Sequence, residues 1–228
     1  AISEVVESAA TVDLDALQTR FGEARRPSAL HYRPDDMPSL AIEARMAARL
    51  DAVRAFARQH PIDRMIRAPR EASLGIVTCG KAHFDLLEAL RRIGIGLDEL
   101  ASAGVRIYKV GLAFPVEPTR MLEFARGLGE VLVVEEKGGV VEQQMRALLY
   151  NAPPDSRPAI AGKSSLDGRQ MLPEVDELRP SRLLPVLADW LARHRPALDR
   201  RDRVEAFVRP ALPSNAADRI HRVPHFCS

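Results

Sequence analysis

The chain has 228 residues, of which 46% are hydrophobic and 28% charged, and its 33 basic against 31 acidic residues leave a net charge of +2. That balance gives no electrostatic reason for a nucleic-acid or membrane-surface partner, and no apolar run reaches the roughly 20 residues needed to span a bilayer. Two cysteines, Cys79 and Cys227, make no disulfide framework, and no leader-like segment opens the sequence, so the expected setting is cytoplasmic. The start at Ala1 without methionine and the stop at HRVPHFCS read as a piece excised from a longer polypeptide.

Residues 1–38 are poorly periodic. A short strand at Val12, Asp13 and Leu14 and a helical turn through Leu14, Leu17 and Phe21 are followed by Pro27, Pro34 and Pro38, which suits an arm or linker. Ser39 is placed to cap a helix running to about Gln59, with Glu43 in its first turn and Met46, Leu50, Val53 and Phe56 as its stripe. His60-Pro61 ends it, because the residue before a proline avoids the α region. Residues 62–70 read as a charged connection.

The first strand is LGIVTC, residues 74–79. Gly80-Lys81 turns it into a helix with Phe84, Leu87 and Leu90 on one face, closed by Gly94 and Gly96. A short helix over residues 98–103 ends at Gly104, and VRIYKV, residues 105–110, is the second strand. Residues 119–128 form a helix with Met121, Leu122 and Ala125 inward. Then comes VLVVEEKGGVVEQQMRALL, residues 131–149: a strand buried on both faces, an acidic-glycine loop, and a helix. In that helix Val141, Met145, Leu148 and Leu149 share one face, with Glu142, Gln143 and Arg146 turned away. Residues 158–161 give a short strand, 162–178 a loop, and 181–194 an amphipathic helix striped by Leu183, Leu184, Leu187, Trp190 and Leu191. A helical piece near residues 203–208 and a proline-bearing tail close the chain.

Strands separated by helices of about a dozen residues argue for a mostly parallel sheet covered by helices, with four strands readable and room for a fifth. The domain expectation is an arm over residues 1–38, one α/β domain over 39–195 and a linker over 196–228.

In such sheets ligands and partner surfaces meet the carboxyl ends of strands. Glu135, Glu136, Gly138 and Gly139 stand at one such end, and Thr78, Gly80 and Lys81 at another, as candidate interface or anion contacts. A solvated turn and a tight strand-to-helix turn are the bland alternatives. GIVTCGKA nearly spells the phosphate-binding loop, but Ala82 lacks the hydroxyl for magnesium and the residues between the glycines read as strand. His221, His225 and Cys227 lie close together, yet Pro224 prevents a regular helix from presenting both imidazoles on one face. No nucleophile elbow and no dinucleotide fingerprint occurs.

GIVTCGKAHFDLLEALRRIGI and GVRIYKVGLAFPVEPTRMLEFARGLGEVLVVEEKGGVVEQQMRALLYN together resemble the central domain of the indolepyruvate ferredoxin oxidoreductase family. Gly162-Lys163 and Met171-Leu172-Pro173 match that family's GK loop and LLP segment, and the tail RVPHFCS matches the approach to its thiamine-binding domain. The resemblance implies a three-layer α/β/α sandwich on a mostly parallel five-stranded sheet, similar to the C-terminal domain of transketolase. It implies a parent enzyme that oxidatively decarboxylates an aryl 2-oxoacid to an acyl-CoA, passing electrons to ferredoxin with thiamine diphosphate, Mg, iron–sulfur clusters and CoA. It also implies that Cys227 binds a cluster only in that parent, and that residues 196–228 lead to a missing thiamine-binding domain. Since this chain lacks the family's diphosphate and cluster motifs, the expectation is a non-catalytic domain holding no cofactor, whose partners are the thiamine-binding domains. The alternative expectation is an independent anion- or small-molecule-binding α/β module using Thr78, Gly111 and Glu135.

Overall fold

The structure, a computed structural model, describes residues 37–60 and 62–208. In chain order the elements are α1 (Ala41–Gln59), β1 (Arg64–Arg67), β2 (Leu74–Cys79), α2 (Ala82–Ile93), α3 (Leu97–Ser102), β3 (Val105–Val110) and α4 (Pro118–Ala125). They continue with β4 (Glu130–Val134), α5 (Val140–Leu149), β5 (Ala159–Ala161), α6 (Pro180–His194) and α7 (Arg201–Val208). The expected features at Val12–Leu14, His221, His225 and Cys227 lie outside the described residues.

The sheet order is β1-β3-β2-β4-β5, with β1 antiparallel to β3 and every other pair parallel. This is the five-stranded, mostly parallel sheet that was expected. Successive residues alternate between its faces, so each strand feeds two cores. On one side Ile76, Ile107, Leu132 and Val134 pack with Leu86, Leu90 and Ile93 of α2 and Leu184, Leu187 and Trp190 of α6. On the other, Val77, Tyr108, Val131 and Val133 pack with Met121 and Phe124 of α4 and Val141 and Met145 of α5. Helices on both faces make the three layers. Each fully buried aliphatic or aromatic side chain contributes about 1.5–3 kcal/mol, which makes the layer interfaces the main source of stability.

Several local expectations are corrected. Residues 62–70 are not a plain connection, because RMIR forms the antiparallel edge strand β1, with a register shift between Met65 and Arg67. In α2 the buried face is Leu86, Ala89, Leu90 and Ile93, while Phe84 and Leu87 are only half-buried. In α4, Leu122 is exposed and Phe124 takes the inward place. In α1, Met46 is exposed, and Ser39 lies one residue ahead of the helix boundary, its Oγ accepting from the Ala41 amide at 3.2 Å. The α6 stripe is buried in full.

Candidate functional site

Four parallel strands deliver their carboxyl ends to one edge, and the expected residues lie there. At the end of β2, Thr78 is buried, its Oγ1 3.0 Å from His83 Nδ1 and 3.4 Å from the Tyr108 carbonyl. Gly80 makes the turn with φ +57, a conformation that costs a residue with a Cβ but not glycine. Lys81 then folds back onto α2. Its Nζ donates to Asp85 Oδ1 at 2.9 Å and to the Leu178 carbonyl at 2.8 Å, with Glu177 Oε1 at 3.4 Å. Burial works to lower the Lys81 pKa, but Asp85 and Glu177 outweigh it and hold it above the ordinary lysine value. Asp85 is buried, and burial lifts its pKa against the pull of Lys81. Burial, reinforced by Lys109, pushes His83 down to about 4, so its ring is neutral at neutral pH.

The acidic-glycine loop after β4 is built differently. Glu135 is 4% exposed, and its Oε2 and Oε1 each accept a backbone amide, from Val141 and Glu142, both at 2.9 Å. A carboxylate on the first-turn amides of a helix satisfies orphan donors and sits at the positive end of the helix dipole. The Glu135 carbonyl accepts from Lys163 Nζ at 2.6 Å, and the same ammonium reaches the Pro173 carbonyl at 3.1 Å. Glu142 completes the network: Oε2 accepts the Lys163 amide at 2.9 Å, and Oε1 pairs with Arg146 Nη2 at 2.8 Å. Burial lowers the Lys163 pKa, opposed by Glu135 and Glu142.

The expectation that Glu142 turns away from the fold is corrected. Glu135 is a buried helix cap. Glu142 faces inward, because the loop carrying Gly162 and Lys163 passes against the start of α5. The positive φ in the loop falls on Lys137, at 58, and not on Gly138 or Gly139. A Cβ at Gly138 would meet nothing within 4 Å, and one at Gly139 would make ordinary contacts at 3.5 Å. The steric demand for glycine sits at Gly162, where a Cβ would lie 3.0 Å from the Val133 carbonyl oxygen and overlap the Glu142 carboxylate. Glu136 is half-buried and makes no hydrogen bond with a described residue, and Lys137 and Gly138 are exposed.

Three further residues were not singled out in the sequence. Asp63, just before β1, accepts from Tyr108 Oη at 2.8 Å and from the Gly111 and Leu112 amides at 2.7 and 3.2 Å. Glu117 caps α4 through the Arg120 amide at 2.8 Å. Gln144 ties two loops together, donating to the Ala113 and Val140 carbonyls and accepting from the Val116 amide. An acidic residue just ahead of a helix was the available signal for Glu117. Asp63 and Gln144 act across the fold, and no spacing announces that.

Among the described residues no group of three or more His, Cys, Asp or Glu side chains is placed to hold a metal ion. The buried carboxylates at this edge already accept backbone amides or lysine, so they do not fit a magnesium diphosphate or an iron–sulfur cluster.

This chain is similar to indolepyruvate oxidoreductase subunit IorA of Pyrococcus horikoshii, 30% identical over 71% of this chain and 23% of that protein. The Pyrococcus abyssi subunit of the same name is 27% identical over the same shares. The chain thus spans less than a quarter of the length of the curated relatives it matches. Among solved structures, a 2-oxoglutarate:ferredoxin oxidoreductase from Magnetococcus marinus aligns with a TM-score of 0.40 and 16% identity, over 70% of this chain and 24% of that one. The family model described as the indolepyruvate oxidoreductase domain matches residues 64–209. That match takes in the whole sheet and every helix except α1, so the chain belongs to the indolepyruvate oxidoreductase domain family.

Proposed function

We propose that this chain is the central docking domain of a 2-oxoacid:ferredoxin oxidoreductase of the indolepyruvate type. The observation that carries the reading is the use of the polar groups at the carboxyl edge. Thr78, Lys81, Asp85, Glu135, Glu142 and Lys163 all hold neighbouring backbone or side chains. Such a set fixes loop shape and leaves Glu136, Lys137 and Gly138 turned toward a partner. It supports an interface better than a reaction centre, which needs an acid, base or nucleophile free to reach substrate. The same engagement weighs against an independent anion-binding module.

In this reading the parent enzyme decarboxylates an aryl 2-oxoacid, forms the acyl-CoA and sends electrons to ferredoxin. Thiamine diphosphate, with magnesium, supplies the carbanion chemistry there, iron–sulfur centres carry the electrons, and neighbouring domains hold both. Cys227 belongs to a cluster motif completed outside this chain, and the parent works in the cytoplasm. The division of residues 1–38, 39–195 and 196–228 into arm, domain and linker is part of the same proposal.

The test compares the full-length polypeptide with the 228-residue chain. Indolepyruvate-dependent reduction of ferredoxin is expected from the former, supplied with its partner subunits, and none from the latter. Calorimetry on the chain is expected to show thiamine diphosphate binding no tighter than about millimolar. Micromolar binding, or activity in the chain alone, overturns the assignment.

A further inference from the structure

We infer that a row of exposed apolar side chains, Ile62, Phe114 and Val140, is the contact by which another domain of the same polypeptide seats on the carboxyl edge of this sheet. The inference rests on the docking-domain reading above and names the surface that does the docking.

The three side chains are 38%, 61% and 48% exposed, and each stands on a segment that a buried or half-buried side chain pins. Asp63, next to Ile62, holds the amides of Gly111 and Leu112. Gln144 holds the Ala113 and Val140 carbonyls at 2.8 and 2.9 Å, so one amide group fixes the backbones on which Phe114 and Val140 ride. The same Gln144 accepts the Val116 amide at 3.0 Å, clamping the Phe114 loop on both sides. At Gly111 the Ile62 backbone approaches so closely that a Cβ would have no room, with the Ile62 carbonyl carbon at 2.7 Å. Apolar side chains on loops are commonly mobile, and ordering them on binding costs affinity. Here the backbone share of that ordering is already built in. An exposed aromatic on a fixed backbone, with polar residues beside it, is the form of an interface anchor. Glu136, free of described hydrogen bonds, and the exposed Lys137 supply the polar rim.

Area argues for a tethered occupant. Three side chains at these exposures offer on the order of 250 Å² of apolar surface, well short of the roughly 800 Å² per partner that a free association uses. A contact of that size holds when its partner is covalently attached, because tethering supplies an effective concentration in the millimolar range. Curated relatives have about three quarters of their length outside the segment matched here, which is ample chain to provide the partner.

The test uses the full-length polypeptide with p-benzoylphenylalanine in place of Phe114, irradiated and mapped by peptide mass spectrometry. The expected cross-link joins position 114 to a peptide of the same polypeptide outside these 228 residues, and mixed isotopic labelling shows it to be intramolecular. Cross-links to residues 1–36 or 209–228, to the same domain of a second copy, or to nothing overturn the proposal. Hydrogen exchange on the unmodified proteins covers the case in which the probe disturbs folding. Amides of residues 111–117 are expected to exchange at least about tenfold more slowly in the full-length polypeptide than in the 228-residue chain, and equal rates overturn the proposal. The expected cross-link, together with no oxoacid oxidation by the unmodified full-length polypeptide, would sink only the oxidoreductase assignment and keep this surface. Activity with a cross-link elsewhere would sink only this surface.

Discussion

The two strand-to-helix corners at the carboxyl edge, β2 to α2 and β4 to α5, solve one problem in opposite ways. Both must turn a buried parallel strand into a helix packed on the sheet. At the first, Gly80 takes the left-handed turn, and the charged partner of the helix is Lys81, which keeps part of its surface in water while clamping Asp85. At the second, the turn falls on Lys137, and the helix amides are capped by a carboxylate that is itself buried. Its burial is balanced by Lys163, 28 positions on and just past the next strand, β5. The difference teaches that an acidic pair at a strand end need not face outward: Glu135 belongs to the interior and Glu136 to the surface. Adjacent carboxylates thus have unrelated roles, and variants at the two corners should separate accordingly.

The largest effect is expected from Lys163→Met, which keeps the side chain's bulk but removes its charge. Glu135 and Glu142 would then be buried without their ammonium, and the Glu135 and Pro173 carbonyls would lose a donor. Breaking a buried charge network by deleting one partner costs about 3–5 kcal/mol. Urea unfolding of the 228-residue chain should show that loss, whereas a change under 1 kcal/mol would mean the network carries no stability. Glu135→Gln comes next. One amide bond survives, and the other meets an NH₂ group, so a loss of about 2–3 kcal/mol is expected from two weakened charge-assisted bonds.

The first corner is probed by pH. The folded pKa of His83 is pushed down from 6.5 to about 4, so between those values the unfolded chain binds the extra proton. Its contribution to stability is full above pH 6.5 and is lost as the pH falls toward 4. At pH 5 the loss from this group is about 2 kcal/mol. His83→Asn, which keeps a partner for Thr78 but cannot titrate, should flatten the stability profile between pH 6.5 and 5. Parallel profiles for the two proteins would refute the assignment.

Much of the frame was legible before the structure. β2 and β3 fall on the residues read as strands, because LGIVTC and VRIYKV are short apolar runs bounded by glycine or charge. The α6 stripe was legible because five large apolar residues recur at helical spacing. β1 was hidden: in RMIR the two arginines mask an edge strand whose register shifts partway along. Glu142 was misjudged because a helical stripe ranks residues by polarity, while its burial depends on a lysine 21 positions downstream. The candidate residues lie at one edge of the sheet, as their places after strands imply, but the split between Glu135 and Glu136 is a matter of which amides lie within reach. Only the packed α5 decides that.

Two glycines test the corners on a smaller scale. At Gly162 an added methyl would press on the Val133 carbonyl and the fixed Glu142 carboxylate, for an expected loss of about 1–3 kcal/mol in Gly162→Ala. Gly80 has open space around it and only its φ of +57 to object, so Gly80→Ala should cost about 1 kcal/mol. A reversal of that order in thermal unfolding would show that the second corner relaxes more freely than its contacts imply.

The smallest effect belongs to Glu136→Gln. Its carboxylate makes no hydrogen bond with a described residue and lies near acids, contributing repulsion at Asp85 through the coulombic field. Neutralising it removes a repulsion at Asp85 and an attraction at Lys163, which oppose each other, and breaks no hydrogen bond, so the stability of the 228-residue chain should stay within about 0.5 kcal/mol of the parent sequence. The value of the experiment is the pairing with Glu135→Gln, one residue away and with the same chemical change. A ratio of several-fold between the two losses is expected. Equal losses would place Glu136 in a buried role too, and would leave Lys137 as the loop's charged surface to offer a partner.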